Sequence, residues 1–291
     1  MRRTKGERTF ELVNYVVLSV VAFATLYPML NILAQSFSNE VAIRTSKVNL
    51  WPVGFNWQTY QAVTSDAMFW RNYANTVLYT VVATTISMVL TTSYAYVLSK
   101  KYLRGRTLLI WIAVFTMFFS GGLIPNYVLI DALGWKNTIW AVVVPGAISV
   151  FNLLIMKSSF EALPVEMEEA AAIDGLSPIQ TLIRIYLPLS KAILATMILF
   201  YAVANWNAWF GAFLYFDRRE LLPVTIYLRN LIAGVTSAND VGAAGNIDAQ
   251  TQINANIKAV TVVLTTVPIL CVYPFVQKYY VSGVMLGSVK G

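Results

Sequence analysis

Three glutamates near the middle of a very apolar chain are the side chains that most suggest chemistry. Glu166, Glu168 and Glu169 lie within four residues of one another. Two carboxylates can act as general acid and general base when they flank a substrate. These three are too close together on one short helix to do so. They also sit at a predicted helix start, where the helix dipole favours negative charge. We therefore expect no catalysis from them.

The rest of the sequence offers no other catalytic set. It contains no histidine, and its single cysteine excludes an internal disulfide. We find no Ser/His arrangement, no metal-ligand spacing and no G-x-x-x-x-G-K-[ST] loop for nucleotide phosphates. No basic patch interleaved with aromatic residues indicates nucleic acid. The sequence predicts a protein that is not an enzyme, with no catalytic residue, no metal site and no cofactor of its own.

The elements that must position the glutamates are two short helices predicted over residues 164–188. Proline is tolerated in a first helical turn, alanine favours helix, serine caps a start, and glycine ends a helix in a left-handed conformation. The residues that set these boundaries are Pro164, Ala170, Ala171, Ala172, Gly175, Ser177, Pro178 and Pro188. Helices this short are not stable alone in water. They must pack on another protein or on the chain's own helices, and the sequence leaves both open.

The composition places these helices in a membrane protein. The chain has 291 residues, of which 57% are hydrophobic and only 12% are charged, whereas soluble domains are about 25% charged. A membrane-spanning helix needs about 20 mostly apolar residues. Six stretches without Asp, Glu, Lys or Arg meet this need: 12–35, 75–98, 107–130, 138–156, 192–216 and 259–277. The predicted fold is an all-α integral membrane protein with six spans and a cytoplasmic helix–turn–helix loop.

Lysine and arginine set the predicted orientation, because short cytoplasmic loops are rich in both. The N-terminal segment 1–11 and the loop 100–106 are strongly basic and are expected inside. Both termini and the loop 157–191 are then cytoplasmic. Lys100, Lys101, Arg104 and Arg106 are interpreted as topological signals, with contact to anionic lipid as the alternative.

The fifth stretch combines aromatic rings with amide groups, which together could line a pathway for a ligand that has both apolar faces and hydroxyl groups. Tyr201, Asn205 and Trp209 are spaced for one helix face, and Trp206 and Asn207 lie among them. An asparagine inside a span is costly without a partner. The alternative is a hydrogen bond between helices, with aromatic residues at the membrane interface.

The glutamate-rich loop resembles a known family motif. Glu169-Ala170-Ala171, Gly175, Ile185 and Leu187-Pro188 match the EAA loop of ABC-importer permeases in every position and spacing. The fuller "EEAAAIDG" resembles the carbohydrate-uptake branch, which includes the maltose and oligosaccharide importers. The tail "YPFVQKYYVSGVMLGSVKG" is similar to permeases for complex oligosaccharides. The resemblance covers essentially the whole chain after residue 10, and it is strongest to the smaller permease of importers for alginate or pectin fragments.

The resemblance implies a binding-protein-dependent importer in a bacterial plasma (inner) membrane. The implied partners are a second homologous permease, an ATPase dimer that carries ATP and Mg, an extracytoplasmic sugar-binding protein and the oligosaccharide. The coupling helix would dock on the ATPase, with Glu169 in an ion pair with an arginine. The residues implied in coupling are Glu168, Glu169, Ala170, Ala171, Asp174, Gly175, Ile185, Leu187 and Pro188.

An ion-coupled secondary sugar transporter is the alternative function. Such proteins usually carry ionisable groups within their spans, and none of the six stretches has one. The net charge of +7 is compatible with an anionic, uronate-type substrate, although the basic loops explain it equally well.

Overall fold

The computed structural model describes residues 5–230 and 256–271, which form helices and loops with no β-strand. This agrees with the predicted all-α class. In chain order the labelled helices are α1 (Lys5–Ser36), α2 (Glu40–Arg44), α3 (Gln58–Thr64), α4 (Ala67–Ser99), α5 (Arg106–Phe118), α6 (Leu123–Ala132), α7 (Trp140–Val143), α8 (Val150–Glu161), α9 (Glu166–Ile173), α10 (Pro178–Leu189), α11 (Lys191–Asn207), α12 (Phe210–Tyr215) and α13 (Asn256–Cys271).

Two of these helices, α1 and α4, are each long and apolar enough to cross a membrane. They have 32 and 33 residues, or about 50 Å at 1.5 Å per residue, against a hydrocarbon core of about 30 Å. The predicted spans 12–35 and 75–98 fall inside them. None of the most apolar 18-residue stretch of α1 is buried, so this surface requires an apolar surrounding.

The predicted span 107–130 is not one helix. It is divided into α5 and α6, which are bent by 111°. Gly122 adopts a φ of +91° between them, a conformation that glycine reaches without strain. The Gly-Gly pair thus produces a break between α5 and α6.

The predicted spans 138–156 and 192–216 are also interrupted. The first contains α7 and α8, separated around Pro145 and Gly146, where a backbone N–H is missing and a new helix starts at the Ser149 cap. The second is α11 followed by α12. Neither glycine nor proline is present at the break itself, residues 208–209. The Asn207 side chain donates to Val203 O at 2.8 Å, and such back-bonding competes with the helix.

The loop helices α9 and α10 lie where they were predicted. α10 contains a π-helical turn over Leu182–Tyr186. Pro188 follows two residues after this turn, and it has no backbone N–H to donate to a helical hydrogen bond. α10 and α11 meet at 89°. If each bent pair is counted as one span, the described residues hold up to four candidate spans. Six spans therefore remain a prediction, and the end of the predicted span 259–277 lies outside the described residues.

The chain divides into two compact units. One contains the described residues 5–69, 228–230 and 256–268, and the other 70–227 and 269–271. In the first unit Phe37 stacks on the rings of Phe55, Trp57 and Tyr60. In the second, α4, α5, α8, α10 and α11 share a core that includes the fully buried Leu98, Leu153, Met156 and Met197. This second unit contains both groups of predicted site residues.

Candidate functional site

The ends of α9 and α10 are fixed by local hydrogen bonds. Gly175 ends α9 with a φ of +75°, and Leu176 N donates to Ala171 O at 2.9 Å. The side chain of Ser177 accepts from Gln180 N at 3.4 Å, while Gln180 Oε1 accepts from Ser177 N at 2.9 Å. This reciprocal pair is a capping box. The glycine and serine predicted from the sequence therefore set the turn between the helices.

Neighbouring glutamates on α9 point in different directions. Glu168 is half-buried and Glu169 is exposed, as expected for adjacent residues about 100° apart on a helix. Glu168 pairs with Lys100 Nζ at 2.8 Å and accepts from the hydroxyls of Tyr102 at 3.1 Å and Tyr186 at 3.2 Å. Glu169 makes no ion pair within the described part of the chain. Glu168 thus holds α9 to its own protein, and Glu169 faces outward.

The partner of Glu168 is a buried lysine. The Lys100 side chain is 8% exposed, its Nζ lies 4.0 Å from the centroid of the Tyr96 ring, and it donates to Tyr186 Oη at 2.9 Å. Burial lowers the pKa of the Lys100 ammonium, and the contact with Glu168 only partly offsets that effect. Burial also raises the pKa of the Glu168 carboxyl, but Lys100 and the two tyrosine hydroxyls lower it more, so that it lies below its ordinary value.

The other predicted coupling residues divide between the surface and the interior. Ala171 is buried, and Ile185 and Leu187 are half-buried. Those exposed are Ala170, Asp174, Gly175 and Pro188. The motif therefore mixes residues that fold the loop with residues that are free to meet a partner.

Exposed apolar side chains lie on both sides of Glu169 in the sequence. We call them the loop patch, which consists of Val165, directly before α9, and Met167 and Ile173 on α9. Ile173 is 86% exposed. Large apolar side chains exposed on a short polar helix usually mark a protein interface. Of the two readings left open by the sequence, this exposure favours contact with another protein.

A second ionic cluster lies near the start of α5. Arg106 pairs with Glu161 and donates to Leu98 O at 2.7 Å, and Lys157 pairs with Glu161 at 2.9 Å. Burial raises the pKa of the Glu161 carboxyl, but the two cations lower it more, leaving it below its ordinary value. Arg106, interpreted from the sequence as a topological signal, therefore also joins α4, α5 and α8.

Tyr201, the first predicted pathway residue, lies in the protein interior. It is buried, its hydroxyl lies 2.6 Å from Thr91 Oγ1, and it accepts from Ser149 N at 3.1 Å. These contacts join α11 to α4 and to the start of α8. Tyr201 is thus placed to hold helices together, in line with the alternative that the sequence left open.

Asn205 lines a small cavity at the break between α11 and α12. The cavity has a volume of about 100 Å³, and its lining includes Thr76, Tyr79, Ala208 and Gly211. Asn205 Nδ2 donates to Thr84 Oγ1 at 3.3 Å. This satisfies one side of the amide, as expected for an asparagine between helices.

The remaining three pathway residues do not share one face. Trp206 is buried and meets Tyr73 edge-to-face at 5.7 Å. Asn207 is exposed and ends α11, and Ala208 after it is extended. Trp209 therefore lies beyond the helix, and the predicted i, i+4, i+8 face of Tyr201, Asn205 and Trp209 is wrong because α11 stops two residues too early. Trp209 is 37% exposed.

A comparison of the sequence with known protein families decides the family. Residues 106–285 match the family described as binding-protein-dependent transport system inner membrane component, and this match covers more than half of the chain. The chain belongs to this permease family. The resemblance drawn from the EAA-like loop is thereby confirmed.

Relatives match the permease over its whole length. Protein LplC of Bacillus subtilis is 40% identical over 293 residues, covering 100% of this chain and 98% of the relative. The polygalacturonan/rhamnogalacturonan transport system permease protein YtcP of the same organism is 36% identical over 289 residues, covering 98% and 99%. A crystal structure of a bacterial ABC transporter involved in the import of the acidic polysaccharide alginate contains a similar chain. That chain is 32% identical with a TM-score of 0.84, and the match covers 96% of this permease and 99% of that chain.

The functional geometry includes residues that the sequence did not single out. Lys100 was assigned to topology, and Tyr102 and Tyr186 were given no polar role. Lys100 and Glu168 are 68 positions apart, so no local spacing connects them. A basic residue directly after an apolar span looks the same in sequence whether it faces water or a buried carboxylate.

The left-handed turn at Gly175 gives a first prediction. Gly175→Ala places a Cβ on a residue with a φ of +75°, a strain of about 1–2 kcal/mol for an L-residue. Unfolding of the purified permease in mixed micelles should show a loss of that size. Gly146→Ala is the matched control, because Gly146 has open space around it and no positive φ. Equal stability of the two variants would contradict the role of the turn.

Proposed function

We propose that this permease forms half of the translocation pathway of an ABC importer for an oligosaccharide and couples transport to ATP hydrolysis in a partner ATPase. The observation that carries the proposal is the loop of α9 and α10, where Glu169 and the loop patch are exposed. In a member of this family, a helix that exposes both a carboxylate and large apolar side chains is the surface expected to meet the ATPase. The chain itself carries no phosphate-binding loop, so the ATP and Mg belong to the ATPase.

The proposed substrate is an oligosaccharide that contains uronate units. One relative is named for polygalacturonan and rhamnogalacturonan, and the similar crystal structure concerns the acidic polysaccharide alginate. Polygalacturonan and alginate are both polymers of sugar acids. The net charge of +7 is compatible with an anionic substrate.

The proposed assembly has one copy of this permease, a second homologous permease, two ATPase subunits and an extracytoplasmic sugar-binding protein. It lies in a bacterial plasma (inner) membrane with both termini of this chain in the cytoplasm. Closure of the ATPase dimer on ATP would move the docked loops, and the spans would switch from inward-facing to outward-facing. Such a switch requires only that the ligands bind the two conformations with different affinity.

The decisive experiment is co-purification followed by reconstitution. The permease should bring an ATPase, a second permease and a binding protein out of its native membrane in mild detergent. Proteoliposomes of that complex, with the binding protein, should take up oligogalacturonate or oligoalginate in an ATP-dependent manner that survives an uncoupler. Neutral oligosaccharides of equal length test the substrate class. Uptake that fails with the uncoupler and persists without ATP would instead indicate the ion-coupled secondary transporter, a function that family membership does not favour.

Trp209 gives a prediction for the pathway. An exposed indole beside a helix break can stack on the apolar face of a sugar ring, and an aromatic contact of this kind is worth about 0.5–1.5 kcal/mol. Trp209→Ala should therefore raise the KM of uptake about 2- to 12-fold, with subunit assembly unchanged. Trp111→Ala, on the exposed side of α5, is the control. An unchanged KM in the Trp209 variant would remove this residue from the pathway.

A further inference from the structure

We propose that Lys100 and Glu168 form a buried ionic joint that transmits movement of the coupling helix α9 to the cytoplasmic end of α4. The joint comprises Lys100, Glu168, Tyr96, Tyr102 and Tyr186. This inference rests on the proposed function, since it assigns to these residues the transfer of motion from the ATPase to a membrane-spanning helix. Lys100 and Glu168 are positioning residues, because they touch neither ATP nor sugar.

The first support is the place of the joint in the fold. Lys100 follows Ser99, the last residue of α4, and its N–H donates to Val97 O at 3.2 Å, so its backbone is fixed to the end of that helix. Glu168 is on α9 and Tyr186 is on α10. One ammonium group, with bonds of 2.8 Å and 2.9 Å, therefore connects the end of a 33-residue helix to both helices of the loop.

The second support is the strength expected of a buried pair. Lys100 is almost fully enclosed, with the Tyr96 ring on one side and the hydroxyl of Tyr186 on another. If α9 moved away without α4, an ammonium would be left buried and unpaired, which is strongly unfavourable. An exposed ion pair would separate with almost no change in free energy. Because the pair is buried, separating it is unfavourable, and a movement of α9 should therefore move α4 as well.

The third support is a groove between parts of α4 and α10. It has a volume of about 730 Å³ and is lined by Val89, Ser93 and Val97 of α4 and by Ile179 and Ile183 of α10. Tyr96, which also lines this groove, meets the Tyr186 ring edge-to-face at 4.9 Å. The joint is thus the place where charge and packing together hold α4 to the loop.

The fourth support is the division of labour on α9. Glu169 is exposed toward a partner, whereas Glu168 one residue earlier is bound to Lys100. A force applied at the outer side of α9 therefore has a direct path through the helix to α4. Glu169 would therefore serve docking on the ATPase and Glu168 would serve transmission to α4. Because the two roles belong to different residues, substitutions can test them separately.

The test uses the whole reconstituted importer and three variants, namely Lys100→Met, Glu168→Gln and Tyr186→Phe. Tyr186→Phe removes the hydroxyl but keeps the ring, so it preserves the core. Lys101→Met is the matched control, because Lys101 is the exposed neighbour and the charge change is the same. The readouts are ATPase co-purification, basal ATPase, substrate-stimulated ATPase and uptake.

The expected result is an uncoupled importer. Lys100→Met should keep the ATPase subunit, and uptake per ATP hydrolysed should fall at least tenfold in both Lys100→Met and Glu168→Gln. Tyr186→Phe should lose about threefold, and Lys101→Met should match the wild type. The charge-swapped double variant Lys100→Glu with Glu168→Lys should take up more substrate than either of its single variants.

Two results would overturn the joint. Uptake per ATP within twofold of wild type in all three variants would show that the pair does not transmit motion. Loss of the ATPase subunit from Lys100→Met would show that it serves docking instead. Both are distinct from failure of the proposed function, which would appear in the wild-type protein as the absence of an ATPase partner or of ATP-dependent uptake.

Discussion

Replacing Glu169 by lysine is expected to leave the permease inserted in the membrane but to disconnect it from ATP hydrolysis. Glu169 is exposed on α9 and has no ion-pair partner within the described residues. Placing a cation opposite the expected arginine replaces an attraction by a repulsion. Truncating one partner of a close interfacial ion pair already costs about 2–5 kcal/mol, which corresponds to at least about a 30-fold loss of affinity. Substrate-stimulated ATPase should fall to the basal rate, and uptake should be lost.

The control for this variant is on the same helix. Glu166→Lys makes the same charge change on an exposed residue in the first turn of α9, outside the seven motif positions. It should retain most of the stimulated ATPase. If Glu169→Lys retained wild-type stimulation, or if both variants lost it equally, the specific role of Glu169 in coupling would be wrong.

The second large effect concerns the packing that supports the loop. Phe160→Ala should lower the free energy of unfolding by about 3–5 kcal/mol, the usual cost of removing a buried phenylalanine. Phe160 is 1% exposed in the core and meets the Tyr186 ring edge-to-face at 5.5 Å. Its loss would leave a cavity between α8 and α10, and unfolding of the purified permease in mixed micelles would measure the change.

Phe151→Ala is the matched control for Phe160→Ala. Phe151 lies on the same helix, α8, but is 56% exposed, so its removal leaves no cavity inside the protein. We expect a change below about 1 kcal/mol. A similar loss in both variants would contradict the assignment of Phe160 to the core of this unit.

Several elements followed directly from local sequence. The two loop helices, their glycine turn and the Ser177 cap were predictable because each depends on residues within one turn of itself. The long helices α1 and α4 were predictable because an uninterrupted apolar stretch of this length has few other solutions.

Other elements depended on which hydrogen-bond partners the folded chain offers, and the local sequence does not show these partners. The end of α11 at Asn207 removed Trp209 from the expected face, although no glycine or proline marks that position. Asparagine in a span is helical or not according to the partners it finds, and here Asn207 bonds to Val203 O while Asn205 bonds to Thr84. Only the packed helices determine which partner is available.

The sequence alone determined the class of the protein and its family. Long apolar stretches without charges indicate membrane-spanning helices, and a loop motif of fixed spacing identifies the permease because its residues are neighbours along the chain. The tertiary structure alone decided that Glu168 turns inward while Glu169 turns outward, and that Lys100 is a buried partner and more than a topological charge. The physical reason is that burial and ion pairing join Lys100 and Glu168, which are 68 positions apart in the sequence. No spacing pattern in a single sequence links residues so far apart.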